Sequence, residues 1–169
     1  QKDIEKTHIN IRKVEKIIEE IKDKEKFTLR PVAEKLSEKL SAEGVKAEKG
    51  YVDNSLIITL AGREITKLSS YKEGLFHVQD TASQFCAKAL CAKKGDTVFD
   101  LCSAPGGKSF TVSQYMENEG KLYAFDLYEH RTKLIKDGAL RLGINILEPA
   151  CKKIEIKVEI IIILLQRRV

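Results

Sequence analysis

Between Val98 and Ser109 the chain reads Val-Phe-Asp-Leu-Cys-Ser-Ala-Pro-Gly-Gly-Lys-Ser. A β-branched and aromatic run ends in an acid, Asp100. Small residues, a proline and two glycines follow, and a helix-compatible stretch begins. This is the order of a strand, a tight loop and a helix N-terminus, where backbone N–H groups approach a nucleotide-like ligand closely. A second acid, Asp126, closes another apolar run, Lys121-Leu-Tyr-Ala-Phe-Asp126, 19 residues after Gly107. At about that distance an α/β nucleotide fold presents a carboxylate to a ribose.

Three chemistries compete for this stretch. A phosphate-binding P-loop requires Gly-x-x-x-x-Gly-Lys-Ser/Thr. Gly107-Lys108-Ser109 supplies its second half, but Cys102 stands where the first glycine belongs, and Pro105 removes one backbone donor. The dinucleotide fingerprint Gly-x-Gly-x-x-Gly is absent. A glycine turn that only packs a helix on a strand would account for Gly106-Gly107. It leaves Asp100, Lys108 and Asp126 together unexplained.

The elements around these residues follow from periodicity and punctuation. Thr97–Leu101 and Leu122–Phe125 read as strands, and Ile144–Leu147 as a third. Phe110–Met116 and Glu129–Leu142 read as the helices between them, with Leu134, Ile135 and Leu142 apolar and Gly143 at the end. The order β-α-β-α-β predicts a parallel, doubly wound sheet. Upstream, Thr81-x-x-Gln84 matches a capping box. It opens a helix whose buried face is Phe85, Ala89 and Leu90. Pro31 can start a helix that carries Leu36 and Leu40 to Gly44. Phe27–Arg30, Val45–Tyr51 and Leu56–Leu60 read as strands, the last two around Asp53-Asn54. Ile11, Val14, Ile18 and Ile21 recur at helical spacing after Asn10, a four-turn amphipathic helix that packs on a neighbour.

Composition bounds the rest. The 169 residues suffice for one domain and a small appendage. A net charge of +5 without a long basic block permits a nucleic-acid partner but does not demand one. Cys86, Cys91, Cys102 and Cys151 form no Cys-x-x-Cys pair, and His8, His77 and His130 lack ligand spacing, so no metal site is expected. Free thiols and a charged N-terminus point to the cytoplasm. Cys86 and Cys91 are expected to be buried on their helix, and His77 and His130 to be surface or capping residues.

Val78-Gln79-Asp80-x-x-Ser83-Gln84, then Val98 to Ser109, Asp126 with His130-Arg131, and Arg141-Leu142-Gly143 stand in one chain in this order. In this the chain resembles the Nop/Sun family of S-adenosylmethionine-dependent RNA cytosine-C5 methyltransferases. Glu73-Gly74-Leu75-Phe76 looks most like the bacterial Sun (Fmu) branch, which acts on 16S ribosomal RNA. The resemblance covers about residues 28–148. It implies a Rossmann-like methyltransferase core, present as its first half over 73–148 and preceded by a small α+β RNA-facing subdomain over 27–72. Residues 1–26 would be a helical linker or the end of an N-terminal domain. Carried over residue by residue, Cys102, Ser103, Ala104, Pro105, Gly106, Gly107 and Lys108 would line the methionine and ribose end of S-adenosylmethionine. Asp126 would accept hydrogen bonds from both ribose hydroxyls.

The resemblance also shows what is missing. In the family a thiolate adds to cytosine C6, which makes C5 nucleophilic, and an acid at N3 assists. These groups sit in Asp-x-Pro-Cys and Thr-Cys motifs, and this sequence has neither. No aspartate follows Asp137, so the adenine-side carboxylate is absent as well. Cys151, after Pro149-Ala150, has no acid at the required spacing and reads as a bystander. No catalytic residue is therefore assigned. The chain is expected to be an inactive portion of an RNA methyltransferase or, alternatively, a non-catalytic RNA- or cofactor-binding protein. Residues 149–169 read as an atypical tail, the product of a truncation or a change of reading frame after Pro149. Its run Ile161–Leu165 is far too short for a membrane span. A sheet ending at its third strand would leave an open edge.

Overall fold

The computed structural model describes residues 31–60, 62–152 and 163–166. The expected amphipathic helix that carries Ile11, Val14, Ile18 and Ile21, the strand Phe27–Arg30 and most of the tail lie outside these residues.

A small α+β unit comes first. Helix α1 (Pro31–Ala42) leads into a hairpin of β1 (Lys46–Lys49) and β2 (Leu56–Thr59), paired antiparallel with Lys46 opposite Thr59. Helix α1 ends because Gly44 takes φ 72°. Val45 N–H then reaches back to the Leu40 carbonyl and Gly44 N–H to that of Ser41, a Schellman closure. Leu40, Val45 and Leu68 form the unit's buried core, with Leu36, Leu56, Ile58, Tyr71 and Phe76 packed around them. Glu43 accepts the hydroxyls of Ser69 and Ser70 and the Ser70 N–H. Those donors hold its carboxyl down at about 2, the Ser69 hydroxyl contributing most. They pin the end of α1 to the short helix α2 (Ser69–Lys72).

The larger unit has the expected layers. Helix α3 (Thr81–Ala89) precedes β3 (Thr97–Asp100), α4 (Gly107–Tyr115), β4 (Lys121–Asp126), α5 (Glu129–Arg141) and β5 (Leu147–Cys151). The sheet order is β5-β4-β3-β6, with β6 at Ile163–Gln166. The β3–β4 and β4–β5 pairs are parallel. Along β3 and β4 burial alternates, as a period of two requires. Val98, Leu122 and Ala124 face a core completed by Phe110, Val112, Met116, Ile135, Ala139 and Leu147.

Four local expectations change. The third strand is Leu147–Cys151, not Ile144–Leu147. Residues 142–145 are spent on a second Schellman closure, in which Ile144 N–H bonds the Ala139 carbonyl and Gly143 N–H that of Leu140. The cap of α3 is Asp80, whose carboxylate accepts the Ser83 N–H at 2.8 Å, rather than Thr81. Gln84 instead donates to the Gln79 carbonyl. Helix α3 buries Ala87, while Ala89 is exposed and Phe85 and Leu90 are half-buried, so Cys86 and Cys91 lie outward. Finally, the β3 edge is not open. Strand β6 runs antiparallel along it, Thr97 opposite Gln166 and Asp100 opposite Ile163.

The two units are joined at Arg141. Its guanidinium donates to the carbonyls of Tyr71 (2.8 Å) and Phe76 (3.0 Å) and lies 3.9 Å over the Tyr71 ring. The motif Glu73–Phe76 thereby meets the motif Arg141–Gly143. Gly74, at φ 75°, is required there, because a Cβ would come within 1.8 Å of the Arg141 carbonyl oxygen.

Candidate cofactor site

Strand β3 ends at Asp100, and the loop 101–106 carries the chain over the sheet edge into α4. Asp100 is almost fully buried. It accepts the Ser109 hydroxyl at 2.6 Å and, more distantly, the Cys102 N–H at 3.3 Å. Ser109 and Ser103 hydroxyls lie 2.8 Å apart. The Asp100 carboxyl is raised above the usual carboxylate range because burial outweighs these donors. This acid therefore ties the first turn of α4 to the start of the loop. The same geometry removes the P-loop alternative, which needs a Ser109 hydroxyl open to a metal ion.

Ser103 N–H donates to the Phe125 carbonyl on β4 at 2.9 Å, and Gly106 N–H to the Ser103 carbonyl at 2.7 Å. The Ala104–Pro105 peptide is cis, and Gly106 takes φ 107°. A Cβ on Gly106 would stand 2.4 Å from Phe110 Cζ. Gly107 differs: a Cβ there meets nothing nearer than Gln79 at 3.7 Å. Cys102 and Pro105 are exposed, and Lys108 is half-buried. The Ser83 N–H holds the Asp80 carboxyl below its ordinary range, and the charge of Lys108 adds to this.

Asp126 ends the neighbouring strand and closes the loop from the other side. Its Oδ2 accepts the Ala104 N–H at 3.2 Å and its Oδ1 the Tyr128 N–H at 3.3 Å. Arg131 stands 3.5 Å from Oδ1 and reaches the Ala104 carbonyl at 3.4 Å. The Asp126 side chain is 1% exposed, against 38% for Arg131. The sheet thus brings Cys102–Lys108 and Asp126 to one edge, with Asp126 already engaged by the loop. Cys151 is the register partner of Asp126 on β5 and lies exposed, its thiol donating to the Leu127 carbonyl at 3.4 Å.

Sequence reading missed several participants. Asp100 stood out only as the acid before the loop, and Ser109 as a partial P-loop residue. Arg131 lay in a motif without a role. His77 is not a surface or capping residue. It is half-buried, edge-on to Phe110, with Nε2 3.2 Å from the Thr111 hydroxyl. His130 is exposed and stacks on Tyr128. A cavity of about 610 Å³ lies elsewhere, between the small unit and α4, lined by Tyr51, Leu56, Val78, Gln114 and Asn118 among others. It contains none of the expected cofactor residues. Among the described residues no helix is long and apolar enough to cross a membrane.

Three parallel strands between helices, with a glycine loop and an acid at their carboxyl ends, make this a Rossmann-like α/β fold. Residues 87–160 match the family model described as 16S rRNA methyltransferase RsmB/F. The chain is 38% identical over 112 residues to a probable ribosomal RNA small subunit methyltransferase B of Bacillus subtilis, covering 66% of this chain and 25% of that protein. A methyltransferase homologue from Pyrococcus horikoshii superposes with TM-score 0.65 at 27% identity, over 75% of this chain and 41% of the other. NSun6 from the same organism, crystallised with SFG, gives 0.52 at 27% identity, over 54% and 24%. The matched segments resemble the Sun family of RNA cytosine-C5 methyltransferases. The chain spans about a quarter or less of the length of the curated relatives it matches, the Bacillus subtilis protein among them.

Proposed function

We propose that this chain carries the S-adenosylmethionine half-site of an RNA cytosine-C5 methyltransferase, with 16S ribosomal RNA as the substrate. The observation that carries the reading is the joint between loop and acid: Ala104 donates to Asp126, and Arg131 bridges both. The residues fit the cofactor. The N–H groups that open α4 are the kind of donor array that receives a polar ligand end. Each oxygen of Asp126 has acceptor capacity beyond the N–H it already binds, and the Arg131 contact on Oδ1 is long enough to yield to a ribose hydroxyl. Cys102 to Lys108 would hold the methionine and ribose end, Cys102 through its backbone position. When bound, S-adenosylmethionine supplies an electrophilic methyl group. Asp100, through Ser109 and Ser103, keeps the loop in the shape that binds. The sequence has no family thiol for C6 and no acid for N3, so this chain binds and orients but does not activate the base.

Titration calorimetry with S-adenosylhomocysteine tests the reading. The parent chain is expected to bind, and Asp126→Ala to bind at least tenfold more weakly, since two hydrogen bonds to a charged acceptor contribute about 1.5–3 kcal/mol each. Equal heats for both proteins, or tighter binding of ATP than of S-adenosylhomocysteine by the parent, would overturn it.

A further inference from the structure

Gln79 belongs to the Val78-Gln79-Asp80 motif, for which the cofactor half-site has no use so far. Its side chain reaches α4. Gln79 Oε1 accepts the Thr111 hydroxyl at 2.6 Å, while the Gly107 carbonyl lies 3.1 Å from the same hydroxyl. A hydroxyl has one proton, so the two acceptors compete for it, and the short contact goes to Gln79. His77 Nε2, 3.2 Å from Thr111 Oγ1, must then be the donor. Burial, and after it the charge of Arg141, lower the pKa of this imidazole and favour the neutral ring. The Gln79 amide lies over Gly107, with its Cγ and Nε2 3.7 Å from where a Cβ would project.

The competition matters because of where Gly107 sits. It is the first residue of α4, and its carbonyl stands next to that of the cap residue Gly106, which opens the ladder by accepting the Phe110 N–H at 2.8 Å. A threonine hydroxyl that bonds the carbonyl four residues back tends to bend its helix. Here the bend would fall in the turn whose N–H groups face the loop. We infer that Gln79 is a positioning residue: by drawing the Thr111 proton away from the Gly107 carbonyl it keeps the first turn of α4 straight and its N–H groups aimed at the ligand. The consequence for binding rests on the cofactor reading above. The effect on the turn does not.

Hydrogen–deuterium exchange of residues 107–113 in the unliganded protein is the test, with peptides from β4 and α5 reporting that each variant is folded. Gln79→Ala is expected to speed exchange in this turn about fivefold, the loss of one neutral hydrogen bond. Thr111→Val removes the proton that could be misdirected, so adding Gln79→Ala to it should speed nothing further. Gln79→Glu keeps an acceptor and should exchange like the parent. Equal acceleration in both backgrounds would show that Gln79 merely packs, and no acceleration in Gln79→Ala would show that it does nothing; either overturns the inference. S-adenosylhomocysteine affinity should follow the same pattern, about fivefold weaker in Gln79→Ala alone. A parent that binds no S-adenosylhomocysteine would refute the cofactor reading, while the exchange data would still decide the role of Gln79.

Discussion

Gly106 and Gly107 are adjacent, yet replacing them with alanine should have opposite consequences. At Gly106 two costs combine. A φ of 107° is strained for any L side chain, at about 1–3 kcal/mol. The new Cβ would also stand 2.4 Å from Phe110 Cζ, and overpacking a filled core costs about 1–3 kcal/mol. Phe110 has little room to retreat. A Cβ on Gly138 of α5 would come within 2.5 Å of the same ring atom, so the ring already lies against that helix, and His77 meets its face edge-on. Gly106→Ala should therefore lose about 2–6 kcal/mol in urea unfolding. Gly107→Ala meets only Gln79 at ordinary contact distance and sits in a helix, where alanine is preferred by roughly 0.5–1 kcal/mol. It should be neutral or slightly stabilising. Gly106→Ala within about 0.5 kcal/mol of the parent, or Gly107→Ala the more damaging of the two, would refute the loop geometry argued here.

Deleting residues 153–169 removes β6 and bares the β3 edge, so the shortened chain should melt lower and self-associate more by size-exclusion chromatography; an equal or better-behaved protein would mean that β6 contributes nothing. Burial lowers the His77 pKa below 6.5. The unfolded chain then takes up a proton that the folded one refuses, so stability should fall as pH drops from about 6.5 toward the folded pKa. His77→Phe should lose that part of the slope in pH-dependent melts. Transfer of labelled methyl to unmodified 16S RNA should be undetectable with this chain alone. Transfer lost specifically in Cys151→Ser would show that the thiol beside Asp126 is catalytic.

The core was legible because its signals are local. Strands β3 and β4 announce themselves by apolar runs ending in acids, and α5 by its length and the glycine that closes it. The third strand was misplaced because Ile144 and Ile146 pack against the core ahead of β5: Ile144 closes the preceding helix, and Ile146 offers β4 its carbonyl, which accepts the Leu122 N–H. Cys86 and Cys91 were read by residue type, and only the packing of α3 decides which face is inward. The loop residues could be named from their motif. The contacts that shape the loop could not, since Asp100 meets Ser109 across 9 residues, Ala104 meets Asp126 across 22, and Thr111 meets Gln79 across 32. No periodicity encodes such pairs. The β3–β6 pairing is likewise a matter of topology, because three apolar residues and a glutamine carry no address.

That pairing makes β3 a contested strand. A strand has two edges, and in this chain β4 holds one and β6 the other. Any further strand added beside β3, whether from another polypeptide or from a longer version of this one, must take the N–H and C=O groups that Ile163–Gln166 now occupy. Such an addition is an exchange, not a simple docking. Its rate would be limited by how often a four-residue antiparallel strand peels away, and its equilibrium by the difference between two ladders, not by the strength of either.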